Sequence, residues 1–162
     1  LVRTLVVSSL PAAAPTTAFF TPGDICLLKL RELCRGSRTG IDVCVYTISD
    51  DRLSDELLAA HARGIRVRII SDNDKRFDDG SDIARLAARG VEVRLDDTPF
   101  HMHHKFAVFD GGLVANGSFN WTRTASSSNH ENLVVSRDPY LVRCFGGQFD
   151  AMWARFPALA GA

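Results

Sequence analysis

No run of apolar residues in this 162-residue chain approaches the ~20 needed for a helix to cross a bilayer. Net charge is also missing: 19 Lys and Arg stand against 19 Asp and Glu, so no diffuse field draws in nucleic acid or anionic lipid, and any polyanion must be held locally. The four cysteines (Cys26, Cys34, Cys44, Cys144) form no CxxC pair and no Cys/His spacing of a zinc site, which excludes a disulfide scaffold and leaves small buried or half-buried thiols as the expectation. Lysine is scarce. Only Lys29, Lys75 and Lys105 occur among the 19 bases, so each stands where a composition that otherwise uses arginine did not supply one. There is no internal repeat and no low-complexity segment.

What is present is the profile of one folded domain, with 46% hydrophobic and 23% charged residues. Residues 1–15 read as an N-terminal extension ending at Pro15. Its Leu5-Val6-Val7 and Ala12-Ala13-Ala14 resemble parts of a leader, but the apolar run is short, so the compartment stays open. Residues 16–157 read as a single catalytic domain. A short strand ending at Phe19-Phe20 leads through Pro22-Gly23-Asp24 into a helix whose apolar stripe is Ile25, Leu28, Leu30 and Leu33, stopped by Gly36. Ile41 to Tyr46 is apolar on both faces, as in the middle of a covered sheet. Helix Asp51 to Arg63, strand Ile65 to Ile70, helix Ser81 to Arg89 and strand Val91 to Leu95 continue an alternation that predicts βαβ crossovers. Past Pro99 the pattern changes. His103 to Asp110 and Leu113 to Phe119 read as a hairpin closed by Gly111-Gly112, Asn129 to Ser136 as another strand, and Asp138 onward as a closing helix through Phe145, Phe149 and Trp153. The expected fold is α/β, with a mixed, largely parallel sheet sandwiched between helical layers.

Chemistry concentrates in the hairpin. Residues two apart in a strand share a face, so His103 and Lys105 point one way and His104 and Phe106 the other. Ser118 and Asn120 sit on or just past the partner strand, after Gly117, whose missing side chain permits close approach to the backbone. A cation, a hydroxyl and an amide around an imidazole make a cradle for a tetrahedral phosphate, with Lys105, Ser118 and Asn120 binding it and His103 as nucleophile or proton carrier. Glu131 on the next strand is then placed to accept from the far ring nitrogen and fix the tautomer. Asp110 has the opposite parity to His103 and reads as support for the turn or a neighbouring base. His101 shares the face of His103 and lines the cleft, while His61 reads as helix surface or core edge. A metal site from His101, His103, His104 and His130 is the competing enzyme reading, and Lys105 opposes it because an ammonium on the same face repels a cation. Phe100, Phe119 and Trp121 either stack bases or belong to the core.

The run His103-His104-Lys105, then Asp110, then Gly117-Ser118-Phe119-Asn120, matches H-x-K-x4-D-x6-G-S-x-N in full, and Asn129-His130-Glu131-Asn132 supplies a downstream acid. It resembles the phospholipase D superfamily, and its layout is similar to the small single-motif members: bacterial phospholipase-D-like endonucleases and the mitochondrial cardiolipin hydrolase/Zucchini group. It departs from the Zucchini proteins in lacking an evident Cys/His zinc insertion. The resemblance implies a homodimer and a phosphohistidine intermediate formed without metal or other cofactor. One chain carries a single His-Lys pair, and a twofold interface can bring two copies of His103 together as nucleophile and acid. The expected activity is that of a phosphodiesterase, first an endonuclease on single-stranded or sequence-tolerant DNA or RNA leaving 5′-phosphate and 3′-hydroxyl ends. The alternative is a hydrolase of cardiolipin or another phospholipid. A catalytically silent nucleic-acid-binding module is the remaining reading.

Overall fold

The computed structural model describes residues 15–159. The expected N-terminal extension therefore lies outside the described residues, apart from Pro15. The elements in chain order are β1 (Thr16–Phe20), α1 (Ile25–Gly36), β2 (Gly40–Val45), α2 (Asp51–Ala62), β3 (Arg66–Ser71), a 3₁₀ turn (Asp74–Phe77), α3 (Ile83–Ala88), β4 (Glu92–Leu95), β5 (Lys105–Phe109), β6 (Leu113–Gly117), α4 (Arg123–Ser127), β7 (Asn132–Ser136) and α5 (Pro139–Arg155).

All seven strands share one sheet in the order β1-β7-β6-β5-β2-β3-β4. The sheet is mixed, as the sequence implied, with a smaller parallel share than expected. Only β2 with β3 and β3 with β4 pair in parallel, while the four ladders joining β1, β7, β6, β5 and β2 are antiparallel. The parallel part is where helices α2 and α3 serve as crossovers; beyond Pro99 a three-residue turn joins β5 to β6 and residues 118–131 with α4 join β6 to β7, both pairs antiparallel. Two apolar layers cover the sheet. Ile41, Val43 and Val45 of β2 face Leu27, Leu30, Leu53 and Leu57 of α1 and α2, whereas Cys44 faces Val142, Phe149 and Met152 of α5 on the other side.

Local chemistry sets the helix starts. Asp50, fully buried, accepts from the Arg52 amide at 3.1 Å to open α2. Asp138 accepts from the Tyr140 and Leu141 amides at 2.8 and 3.1 Å, with Pro139 in the first turn, to open α5. The stripe of α1 differs from expectation. Leu27, Leu30 and Cys34 point inward with Cys26, and Ile25 and Leu28 remain 50% and 53% exposed. The hairpin turn is also shifted by one residue. Asp110 and Gly111 take positive φ (52° and 62°), and the Gly112 amide donates to Phe109 O at 3.1 Å, so the loop is three residues rather than the Gly-Gly pair. Of the cysteines, Cys26, Cys34 and Cys44 are buried as expected, whereas Cys144 is exposed. Burial, with the Glu56 charge second, pushes the Cys34 thiol up to about 12, which makes it inert at neutral pH.

Candidate active site

Strand directions bring five chain segments to one end of the sheet: the exits of β1, β2 and β6 and the entries of β5 and β7. His103 and His104 precede the first residue of β5, where a longer strand was expected, yet the Tyr46 amide donates to His104 O at 2.9 Å and continues the extended pairing. Side-chain parity therefore holds. Lys105 Nζ lies 2.9 Å from His103 Nδ1 and donates to the His103 carbonyl at 2.8 Å. His104 turns to the α5 face, its ring 5.5 Å from that of Phe106.

Ser118, Gly117 and Glu131 meet at the neighbouring step. Ser118 Oγ donates to Glu131 Oε2 and accepts from the Asn132 amide at 3.1 Å. Asn129 Nδ2 donates to Glu131 Oε1 at 3.1 Å. Glu131 makes no hydrogen bond to His103 within the chain, contrary to the expected orienting contact; its oxygens accept from Ser118 Oγ and Asn129 Nδ2 instead. Its charge still reaches Lys105. Burial pushes the Lys105 ammonium below the ordinary lysine range, and Glu131 opposes that shift. Among the described residues, Asn120 Oδ1 is buried with no hydrogen-bond partner, an open acceptor beside the cradle. At Gly117 a Cβ would stand 2.1 Å from the Asn132 carbonyl oxygen, so the group that needs the missing side chain is the neighbouring strand's backbone.

The Asp110 carboxylate accepts from the amides of Arg38, Thr39 and Gly40 (2.8–3.1 Å) and from Thr39 Oγ1 at 3.0 Å, so it ties the hairpin to the entry of β2. It supports the turn as expected, through backbone donors and not through a basic side chain. Phe119 and Trp121 are 1% and 2% exposed and belong to the core; Phe100 is 79% exposed. His61 is half-buried, as read.

Three site residues stand outside the motif. Tyr46, at the exit of β2, packs its ring 4.5 Å from that of His103, with Lys105 Nζ 5.0 Å and Lys75 Nζ 5.3 Å from its centroid. Two of the three lysines thus bracket one aromatic ring, a pairing foreshadowed only by their scarcity. The third residue is Asp72, fully buried, which accepts from the Met102 amide at 3.0 Å and lies 3.3 Å from His101 Nδ1. Held this way, His101 lines the site with its ring centroid 6.5 Å from that of His103. Asp72, Asp74 and His101 place one ligand atom each within 4.8 Å of one another, a grouping able to hold a cation that sequence reading did not find. Of the four histidines in the competing metal reading, only His101 takes part in it.

Electrostatics favour a neutral His103. Burial first, and the Lys105 ammonium second, hold His103 below the ordinary imidazole range. His104 shifts the same way for the same reasons, again with burial the larger.

Comparison with known proteins agrees with this geometry. A family model described as "Cardiolipin synthase, PLD-like domain" matches residues 30–153. A protein of Chlamydomonas reinhardtii named "Mitochondrial cardiolipin hydrolase" is 53% identical over 116 residues, covering 72% of this chain and 52% of that protein. Proteins of the same name from Xenopus tropicalis and Homo sapiens are 38% and 36% identical, with 82% and 83% of this chain and 63% and 53% of theirs covered. The chain thus spans between about half and two thirds of the length of these relatives. Among solved structures, a phospholipase D family member, Nuc from Salmonella typhimurium, superposes with a TM-score of 0.84 at 24% identity, covering 90% of this chain and 97% of that one. NucT from Helicobacter pylori gives 0.82 at 21%, with 90% and 99% covered. At such identities these two speak for the fold.

Proposed function

The chain belongs to the phospholipase D superfamily, as a hydrolase of its PLD-like branch, and from that premise we propose that it cleaves cardiolipin-type phospholipid through a phosphohistidine at His103, without metal, as a homodimer. The observation that carries the chemistry is the His103–Lys105 unit, an imidazole and an ammonium 2.9 Å apart at an open end of the sheet. With Lys105 charged, Nδ1 accepts and the ring proton stands on Nε2, a donor form. A bound phosphate draws the ammonium onto its oxygens, frees Nδ1 to carry the proton, and leaves the Nε2 lone pair to attack phosphorus. The bond from phosphorus to the leaving glycerol oxygen breaks, and the second imidazole protonates that oxygen. Water deprotonated by the same imidazole then opens the phosphohistidine, giving phosphatidate and phosphatidylglycerol. The Asn120 side-chain NH2, and the Ser118 hydroxyl once its proton leaves Glu131, are the donors for the equatorial oxygens.

The second imidazole is the partner's copy of His103. Phe20, Ile25 and Leu28 are exposed at the exit of β1 and the start of α1, next to Glu131, whose carbonyl accepts from the Thr21 amide at 3.0 Å. Apolar surface beside an incomplete site supports a twofold contact there.

Sequence alone favoured nucleic acid. Lipid moves ahead because the curated relatives at 36–53% identity carry the cardiolipin hydrolase name, while the Nuc-type structures stand below the identity at which substrate transfers. A single-stranded endonuclease leaving 5′-phosphate and 3′-hydroxyl ends remains the second reading, favoured by the exposed Phe100, an aromatic face in the wall of the cleft that His103 also lines. A silent binding module would keep the fold without turnover. Vesicles containing cardiolipin, and labelled single-stranded DNA and RNA, each incubated with the protein in EDTA, separate the three. Release of phosphatidate supports the lipid reading; oligonucleotide cleavage alone overturns it.

A further inference from the structure

His103 has a second neighbourhood. Between the segment 96–104 and the C-terminal end of α5 lies a cleft of about 200 Å³, whose walls include Phe100, His101, His103, Met152 and Arg155. His103 is one of its lining residues, so an occupant lies beside the imidazole.

Its cation is Arg155, in the last turn of α5, with the guanidinium 5.5 Å from the centroid of the Phe156 ring. Among the described residues no carboxylate lies within ion-pair distance of it; Arg76 is also without one but does not line the cleft, and three other cations near this end of the sheet are engaged. Lys75 Nζ meets Asp78 at 2.8 Å, Arg52 meets Asp50 at 2.7 Å and Arg123 meets Asp51 at 3.0 Å. One acid, Asp96, also lines the cleft, but its oxygens accept from the Asn73 amide at 2.8 Å and from Thr98 Oγ1 at 3.2 Å. The floor is apolar, formed by Met102, Met152 and Phe156, all buried. A guanidinium stays charged at every relevant pH and presents a fork that fits two phosphate oxygens. A free fork above an apolar floor, next to the nucleophile, suits an anion joined to the scissile phosphate by a short carbon linker.

We propose that Arg155 binds a second phosphodiester of the same substrate molecule, so that the chain selects lipids with two phosphates joined through glycerol. This rests on the phospholipid reading above and adds the feature that distinguishes cardiolipin from phosphatidylglycerol. A helix C-terminus also attracts an arginine for electrostatic reasons alone, and that role gives no discrimination between substrates.

The test measures kcat/KM of the full chain on phosphatidylcholine vesicles doped with cardiolipin or with phosphatidylglycerol. Wild type, Arg155→Ala, Arg155→Lys and Arg89→Ala are compared, the last removing an exposed charge at the end of α3. Wild type prefers cardiolipin; Arg155→Ala lowers that preference about tenfold, the loss of one charge-assisted contact. Arg155→Lys recovers part of it and Arg89→Ala leaves it in place. A preference unchanged in Arg155→Ala, or absent in wild type, overturns the assignment of Arg155. Wild type that cuts single-stranded oligonucleotides and neither lipid overturns the phospholipid reading itself, and this inference with it.

Discussion

A lysine ammonium hydrogen-bonded to the imidazole it serves acts on two quantities at once. In the proposed mechanism its charge stabilises the phosphate oxygens as the P–O bond breaks, and it also helps hold His103 below the ordinary value of 6.5, after burial. A lowered value keeps the ring neutral to lower pH, so kcat/KM on bis(p-nitrophenyl) phosphate rises with pH through a limb placed below that value. Replacing Lys105 with Met therefore has two expected outcomes. The rate falls on the order of 100-fold or more, as for other preorganised electrostatic contacts, and the acid limb moves to higher pH. A slower enzyme whose limb stays put removes the electrostatic link between the two residues. At His103 itself, substitution by Ala takes turnover to background and prevents trapping of a phosphoenzyme. His104→Ala, on the α5 face, keeps activity. If the outcomes at His103 and His104 are exchanged, the strand-parity argument that chose the nucleophile fails.

Elements place these residues, and two of their contacts are testable as packing. Gly117→Ala puts a methyl 2.1 Å from the Asn132 carbonyl, a backbone atom fixed by the β6–β7 ladder, so a loss of at least ~2 kcal/mol is expected in urea unfolding. Asp110→Ala removes four donors' acceptor and costs about 1–3 kcal/mol at neutral pH, with activity per folded molecule retained. The sign with pH follows. Burial raises the Asp110 carboxyl, but the backbone donors outweigh it and the folded value is depressed. Its stabilisation is thus present above the unfolded value and lost as pH falls through the folded one, and the gap between wild type and variant closes below pH ~4. A gap independent of pH contradicts the ionic account. Such contacts also mark what the sequence could reveal. Parity put His103 with Lys105, and spacing put Ser118, Asn120 and Glu131 at the next step. Tyr46 and Asp72 escaped because their roles arise from the β2–β5 and β2–β3 pairings together, which bring residues 46 and 72 beside a segment about 30 to 60 positions away; no local periodicity records that. Ile25 and Leu28 were placed inward because either of two adjacent stripes fits a 3.6 period, and only the position of the sheet decides between them.

At the scale of the molecule two dependencies remain. The Asp72, Asp74 and His101 group offers a cation a place, but in the proposed mechanism Lys105 supplies the charge at the scissile phosphate, so activity is expected to survive excess EDTA. Loss on chelation, restored by one divalent ion and abolished by Asp74→Ala, would transfer that role to the cluster. The second, in the homodimer proposed above, is a dependency on another copy of the chain. A protomer carries one His103, and the proposed two-step reaction needs a neutral imidazole and a protonated one at the same time, so such a pair would titrate as a unit. If both come from a twofold axis, then mixing wild type with an equal amount of His103→Ala and allowing the subunits to exchange leaves about one quarter of the dimers intact. Activity per wild-type chain then drops to about half that of the unmixed enzyme, because each heterodimer holds a nucleophile with no acid, or an acid with no nucleophile. Independent sites would instead leave activity per wild-type chain unchanged, and His101, held by Asp72 on the same face, would become the next residue to substitute in the search for the acid.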